Sequence, residues 1–179
     1  MPVRSEIVFD RNVVEFVTVA AEYCSFLERS EGATRASLVD TLLKLLPLLY
    51  LKGSMLPECS RIDACDDLER FVTEDEYEVL RLTLADVMAE RDDYLDVFVA
   101  DMKYSDTPIR KTVSEDLADI WQDIKNFVCL FRTGVNQTMN DAIVECRESF
   151  AIYWGQTLVN TLRALHEVKY SLDDEDVEE

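Results

Sequence analysis

Four carboxylates lie at helical spacing in one short segment: Glu115, Asp116, Asp119 and Asp123. At about 100° per residue they share an arc of roughly 100° on a helix. Carboxylates that converge from one or two helices can hold Mg²⁺ or Mn²⁺, the ions that metal-dependent phosphohydrolases use. One hypothesis is therefore a divalent-metal-dependent nucleotide or phosphate-ester hydrolase, with Glu90, Asp93 and Asp96 as a second acidic group.

The same acids have a simpler interpretation as the solvent-exposed face of a helix. Ser114 is a good N-cap, and acids in the first turn interact favourably with the helix dipole. The row also lies opposite an apolar stripe, where water is expected. We therefore take a solvated face as the main expectation, with no cofactor, and Mg²⁺ or Mn²⁺ binding as the alternative.

The helix that carries these acids is predicted at 114–134, with Gly134 as its C-terminal stop. Its apolar residues recur at the i, i+3, i+4, i+7 spacing of one buried face. They are Leu117, Ile120, Trp121, Ile124, Phe127, Val128 and Phe131. A face this apolar must pack against other helices, so the segment indicates a helical bundle.

Other catalytic centres find little support in the residue types. His166 is the only histidine, and Arg163 stands where a di-iron Glu-x-x-His pair needs its glutamate. A nucleophilic centre would depend on the same histidine, which helical phase places nearer to water than to the core. The five cysteines include no CxxC pair, and we expect reduced thiols rather than disulfides or a zinc site.

Arg147 is the residue most in need of a partner. Helical phase places it on the stripe of Phe150, Trp154 and Leu165, where an unpaired charge costs several kcal/mol. One interpretation is that Arg147 extends to solvent from near the helix start. The other is a buried ion pair with Asp116 that lines a cleft beside Trp154, which would then be the expected ligand site. Trp154 itself is expected to be a core aromatic.

Charge and hydropathy restrict the classes of partner. The formal charge is −19, and six of the seven residues at 173–179 are acidic. Binding to nucleic acid or to an anionic membrane requires basic surface, so both are disfavoured. A basic protein is the easier partner. The longest apolar run, 45–51, is too short to span a bilayer, and the N-terminal residues lack the apolar core of a signal peptide, which favours a cytoplasmic protein.

We predict an all-α, single-domain helical bundle of about five main helices over 1–172, followed by a disordered acidic tail over 173–179. No segment shows the period-two alternation of a strand. Pro47 is expected to kink the second helix and Gly155 to bend the last one. A short helix near 64–70 is expected inside the loop 54–72. The five helices are predicted at 10–28, 35–52, 73–99, 114–134 and 140–170.

Several segments resemble a bacterial family of all-helical proteins known as domain of unknown function 5063. The resemblance rests on SEDLADIWQDI at 114–124, FRTG at 131–134, and Trp154–Gly155 followed by LRALH at 162–166. The segments VVEFVTVAAEYCSFLE and LLKLLPLLYLK look like the opening helices of the family. The resemblance implies a helical bundle in a cytosolic bacterial protein, and it implies no activity.

Two functions follow as expectations. The first is a non-enzymatic module that acts through contact with a protein partner, which rests on the acidic surface and on the lack of a catalytic grouping. The second is the metal-dependent hydrolase that would use the acids of 114–134.

Overall fold

The computed structural model describes residues 5–63, 67–96 and 107–171. The predicted acidic tail at 173–179 therefore lies outside the described residues. The described elements are a 3-10 turn Ile7–Phe9, α1 Arg11–Glu28, α2 Arg35–Ser54, α3 Glu74–Met88, a 3-10 turn Ala89–Arg91, β1 Asp93–Asp96, β2 Ile109–Thr112, α4 Val113–Arg132, α5 Asn136–Ser149, a π-helical turn Phe150–Trp154 and α6 Gly155–Tyr170. The predicted all-α bundle is confirmed, with one two-stranded sheet added.

The helix α4 lies at the centre of the bundle and contacts α1, α3, α5 and α6, while α2 packs on α1 and α6. Its predicted apolar stripe is buried from Leu117 to Val128, and Phe131 at the end is half-buried. Burial of such a stripe is the main favourable term in folding. No helix among the described residues is long and apolar enough to cross a membrane.

The last helix is continuous from Asn136 to Tyr170 but contains the π-helical turn. Its predicted start at residue 140 is four residues late, because Gly134 has φ +69° and ends α4 just before Val135, the N-cap of α5. The π turn places one extra residue in the helix immediately before Gly155. It therefore shifts the helical phase of every residue that follows.

The third predicted helix is wrong over 89–96, and its predicted last residues, 97–99, lie outside the described residues. Ala89 has φ +50°, which ends the helix, and 93–96 forms a strand that pairs antiparallel with 109–112. The predictions of helix over 89–96 and of no strands both fail here. At the start of α3, Thr73 and Glu76 form a capping box.

The start of α4 shows how the two-stranded sheet of β1 and β2, which we call the hairpin, is attached to the bundle. Thr112, not Ser114, is the N-cap, and its Oγ1 accepts from the Glu115 backbone N–H. Ser114 instead donates to the Asp92 carboxylate from its backbone N at 2.8 Å and from its Oγ at 2.6 Å. Asp92 therefore satisfies a free donor of the first helical turn from outside the helix.

Two side-chain clamps hold the long connection between α2 and α3. Asp141 of α5 accepts from the backbone N–H groups of Ile62 and Asp63 at 2.7 and 3.0 Å. Asn126 of α4 accepts from those of Phe71 and Val72 at 2.7 and 3.1 Å. We call residues 67–72 the strap, since they lie across α4. No helix occurs at 67–70, so the predicted short helix is absent there, and 64–66 lie outside the described residues.

Candidate functional site

The acidic side of α4 faces protein rather than water. Asp116 is 5% exposed, Asp119 and Asp123 are half-buried, and only Glu115 is exposed. The expectation of a solvated face is therefore wrong for Asp116, Asp119 and Asp123, which we call the acid row. The reason is tertiary, because α4 is covered by neighbours on its polar side as well as on its apolar side.

Hydroxyl groups from four other elements donate to Asp116 and Asp119, the first two acids of this row. Tyr94 of β1 and Thr161 of α6 both donate to Asp116 Oδ2. Tyr77 of α3 donates to Asp119 Oδ1 at 2.6 Å, and Tyr153 of the π turn donates to Asp119 Oδ2 at 2.5 Å.

Asp123, at the end of the row, accepts from Ser149 Oγ of α5 at 2.5 Å. The acid row thus ties α4 to β1, α3, α5 and α6 through charge-assisted hydrogen bonds, which are stronger than neutral ones.

Burial dominates the electrostatics of the acid row. It raises the pKa of Asp116 to about 6, although the hydroxyls of Tyr94 and Thr161 and the charge of Lys111 oppose the rise. It also raises the pKa of Asp123. Desolvation and the charge of Asp119 raise the pKa of Tyr77 well above its usual range, so this hydroxyl stays a donor.

The four acids singled out as metal candidates are not brought together as a ligand set. Hydroxyl protons occupy both oxygens of Asp119, and Glu115 points to solvent. Within residues 5–63, 67–96 and 107–171, no group of three or more His, Cys, Asp or Glu side chains is arranged to hold a metal ion. The geometry favours a structural role for the row.

Of the two interpretations of Arg147, the side chain extends towards solvent, and the buried pair with Asp116 is not formed. Arg147 Nη2 lies 2.7 Å from Glu58 Oε1, and the arginine side chain is 39% exposed. The cause is the π turn, which separates the helical phase of Arg147 from that of Trp154. Trp154 is fully buried and donates from Nε1 to the Cys146 carbonyl, as a core aromatic does.

The structure contains a groove that the sequence did not reveal. It lies between the C-terminal part of α1, the strap, α3 and α4, and encloses about 530 Å³. We call it the α1–α3–α4 groove. Its floor is apolar and consists of Leu27, Phe71, Val72, Leu80, Trp121 and Cys129. Val79 also lines it and is 66% exposed, so a large apolar side chain remains open to solvent there.

The rim of the groove is acidic. Four carboxylates line it, against one ammonium group: Glu28, Glu31, Asp75 and Glu76 against Lys125. Glu28 contacts Lys125 Nζ at 2.5 Å and accepts from Trp121 Nε1 at 3.1 Å, which fixes one wall. Glu31 and Asp75 form no ion pair with any residue that the structure describes. The one sequence signal for this site is Val79, an apolar residue that lies outside the buried face of α3 formed by Leu80, Leu84 and Met88.

Asp116→Asn is expected to stabilise the protein at neutral pH. A pKa raised from 3.8 to about 6 means that the folded state favours the protonated acid. That contribution is complete below about pH 4 and is lost as the pH rises through about 6. Asparagine is neutral and keeps an oxygen for Tyr94 and Thr161.

The gain in the free energy of unfolding should be about 3 kcal/mol at pH 7.5 and should fall below about 1 kcal/mol near pH 4. Urea unfolding of both proteins across this range measures it. A variant that is less stable than wild type at pH 7.5 would refute the assignment.

Comparison with known proteins places the chain in a family. The family described as Domain of unknown function (DUF5063) matches residues 7–171. Protein BF1032 from Bacteroides fragilis, a structural-genomics target solved by crystallography, is 54% identical, with a TM-score of 0.85 over 94% of this chain and 99% of that chain. Among curated proteins none matches. The resemblance noted in the sequence is confirmed, and the chain belongs to the DUF5063 family.

Proposed function

We propose that this protein is a non-enzymatic interaction module of the bacterial cytoplasm, and that its α1–α3–α4 groove binds a basic segment of a protein partner. The observation that carries the proposal is the combination of an apolar floor and an acidic rim in one open groove. The occupant we infer is a peptide segment with a large apolar anchor flanked by Lys or Arg.

The apolar floor supplies the affinity in this proposal. Each Å² of apolar surface removed from water contributes roughly 25 cal/mol, and contacts near the centre of an interface carry most of the binding energy. Val79 and the buried face of Trp121 border the same space. A leucine or an aromatic side chain would fill it.

The acidic rim supplies the selectivity. Glu31 and Asp75 have no cation beside them among the described residues, so a Lys or Arg of the partner would meet carboxylates without displacing an existing ion pair. The formal charge of −19 adds a long-range field that speeds the approach of a basic partner and repels an acidic one.

A random-sequence peptide library displayed on phage tests the proposal directly. Peptides enriched on the immobilised protein should combine Lys or Arg with a large apolar residue, and their affinity should fall as salt rises. Val79→Arg should weaken their binding about tenfold or more, because it fills the groove and adds a positive charge.

Ile152→Arg is the matched control. Ile152 is 84% exposed and does not line the groove, so this variant makes the same charge change elsewhere and should keep the affinity within about twofold. Equal affinity of the Val79→Arg variant and wild type, or enrichment of acidic peptides, would overturn the proposal.

The metal-dependent hydrolase has weaker support. Its acids would have to release the hydroxyl groups of Tyr77, Tyr153 and Tyr94 before they could bind a cation. No contact in the described residues favours that exchange, so the interaction module remains the function that we propose.

A further inference from the structure

A second cavity lies on the other side of the strap from the groove. It lies between parts of α4 and α5, encloses about 460 Å³ and is bordered by Arg70 of the strap. We call it the α4–α5 cleft. Phe127 and Leu130 give it an apolar wall, while Gln122, Asp123 and Asn126 give it a polar one. Neither the acid row's structural role nor the groove accounts for this cavity.

Asn126 presents an unused donor to the cleft. The residue is 5% exposed, and its Oδ1 is occupied by the backbone of the strap. Its Nδ2 donates to no residue that the structure describes. Among described residues, Arg61 Nε is the one fully buried side-chain nitrogen or oxygen that lacks a hydrogen-bond partner. Asn126 Nδ2 also lacks a partner, so it must be accessible to solvent. It therefore opens into the cleft that Asn126 lines.

Asp123 presents an unused acceptor beside that donor. Its Oδ2 accepts from Ser149, whereas its Oδ1 has no partner in the described ranges. No ammonium or guanidinium group among those residues lies within ion-pair distance of this carboxylate. Burial raises the pKa of Asp123, although the hydroxyl of Ser149 and the charge of Arg70 oppose the rise. The cleft thus contains a half-buried acid with one unused oxygen, which a cationic ligand would satisfy.

The spacing of these two groups defines the ligand. Asp123 and Asn126 are three residues apart on α4, so they share a face with their Cβ atoms about 5–6 Å apart. The amine and the carboxyl oxygen of an α-amino acid lie on neighbouring carbons, which suits an acceptor and a donor at this separation. The wall of Phe127 and Leu130 would contact an apolar side chain.

We infer that the α4–α5 cleft binds a primary amine with a neighbouring carbonyl or carboxylate oxygen, which is the chemistry of an α-amino acid or its amide. The ammonium group donates to Asp123 Oδ1, and the oxygen accepts from Asn126 Nδ2. Arg70 and Glu145 also line the cleft, and they form an ion pair with each other at 2.5 Å, so the ligand contacts that we infer are those of Asp123 and Asn126.

The test is a titration of the full chain with a panel of the common amino acids, their amides and the matching carboxylic acids without the amine. Binding is followed by the side-chain amide signal of Asn126 in NMR spectra. We expect the apolar amino acids or their amides to shift this signal, and the acids without the amine to leave it unchanged. No shift at millimolar concentration across the panel would overturn the inference.

Asp123→Asn supplies the second arm, since asparagine keeps an oxygen for Ser149 but cannot pair with an ammonium group. It should weaken binding about tenfold or more. Asp86→Asn, an equal charge change at an exposed site on α3, should leave binding unchanged. Equal binding by the Asp123→Asn variant would also contradict the inference. If that variant does not fold, the wild-type titration alone decides. Val79→Arg should not affect amine binding, which separates this site from the groove.

Discussion

Replacing Gly53 with valine is expected to lower the free energy of unfolding by about 3 kcal/mol or more. Gly53 lies in α2, where the helix passes directly over the indole of Trp154. A Cβ at this position would stand 2.5 Å from Trp154 Cη2 and 3.2 Å from Cζ2. Both distances are below van der Waals contact, so either the helix or the indole must move.

The indole has little freedom to move away. Trp154 is fully buried, its Nε1 donates to the Cys146 carbonyl at 3.0 Å, and its ring lies between those of Phe16 and Phe150. Cores packed at this density transmit an added methyl group as strain. The cost therefore falls on the packing of α2 against the last helix.

Ser54→Val is the matched control for this prediction. Ser54 is the next residue of α2 and is exposed, so the same β-branched side chain enters the same helical turn without a clash. Chemical denaturation of both variants should show a loss of a few tenths of a kcal/mol for Ser54→Val against the larger loss for Gly53→Val. Equal stabilities would show that the contact of Gly53 with Trp154 is not tight.

Replacing Asp141 with alanine is the second large effect, with an expected loss of about 2–4 kcal/mol. The carboxylate is 2% exposed and accepts from three donors: the backbone N–H groups of Ile62 and Asp63, and Asn140 Nδ2 at 2.9 Å. Alanine would leave the two backbone donors without their acceptor, while Asn140 Nδ2 would keep its hydrogen bond to the Ser60 carbonyl at 2.9 Å. Each donor left unsatisfied in a buried position costs roughly 1–3 kcal/mol.

Amide hydrogen exchange locates this effect within the molecule. The amides of Ile62 and Asp63 should exchange much faster in the variant. Those of Phe71 and Val72 should stay protected, since Asn126 holds them independently. Asp141→Asn, which keeps one oxygen, should lose less stability than the alanine variant. Uniform loss of protection in both segments would contradict the assignment of two separate clamps.

The sequence was sufficient for the features that depend on local pattern. The apolar stripe from Leu117 to Val128 is buried as predicted, because a face this apolar has no stable alternative in water. Asp10 caps α1 through the backbone N–H of Asn12, and Thr73 with Glu76 forms a capping box, because both motifs are local hydrogen bonds. The bundle of five main helices follows from these signals.

The features that failed depend on residues distant in sequence. The acid row was expected in water, yet Tyr94, Tyr77 and Tyr153 reach it from separate elements. The apolar residues of 93–96 recur at helical spacing, so the sequence pattern alone indicates a helix there. The positive φ of Ala89 and the pairing of 93–96 with 109–112 are what make this segment a strand.

The π turn is a third feature of this kind. It adds a residue to an otherwise regular helix, and a count at 100° per residue therefore misplaced Arg147. The α1–α3–α4 groove was missed for the same reason as the acid row, since its walls come from α1, the strap, α3 and α4.

The groove is the central functional claim, and chemical-shift mapping of a bound peptide tests it most directly. A basic peptide enriched from the displayed library, added to the isotopically labelled full chain, should shift the backbone signals of Val79, Thr83, Lys125 and Cys129, which line the groove. The signals around Ile152 should remain in place. Shifts concentrated away from these residues, or none at saturating peptide, would contradict the proposed binding site.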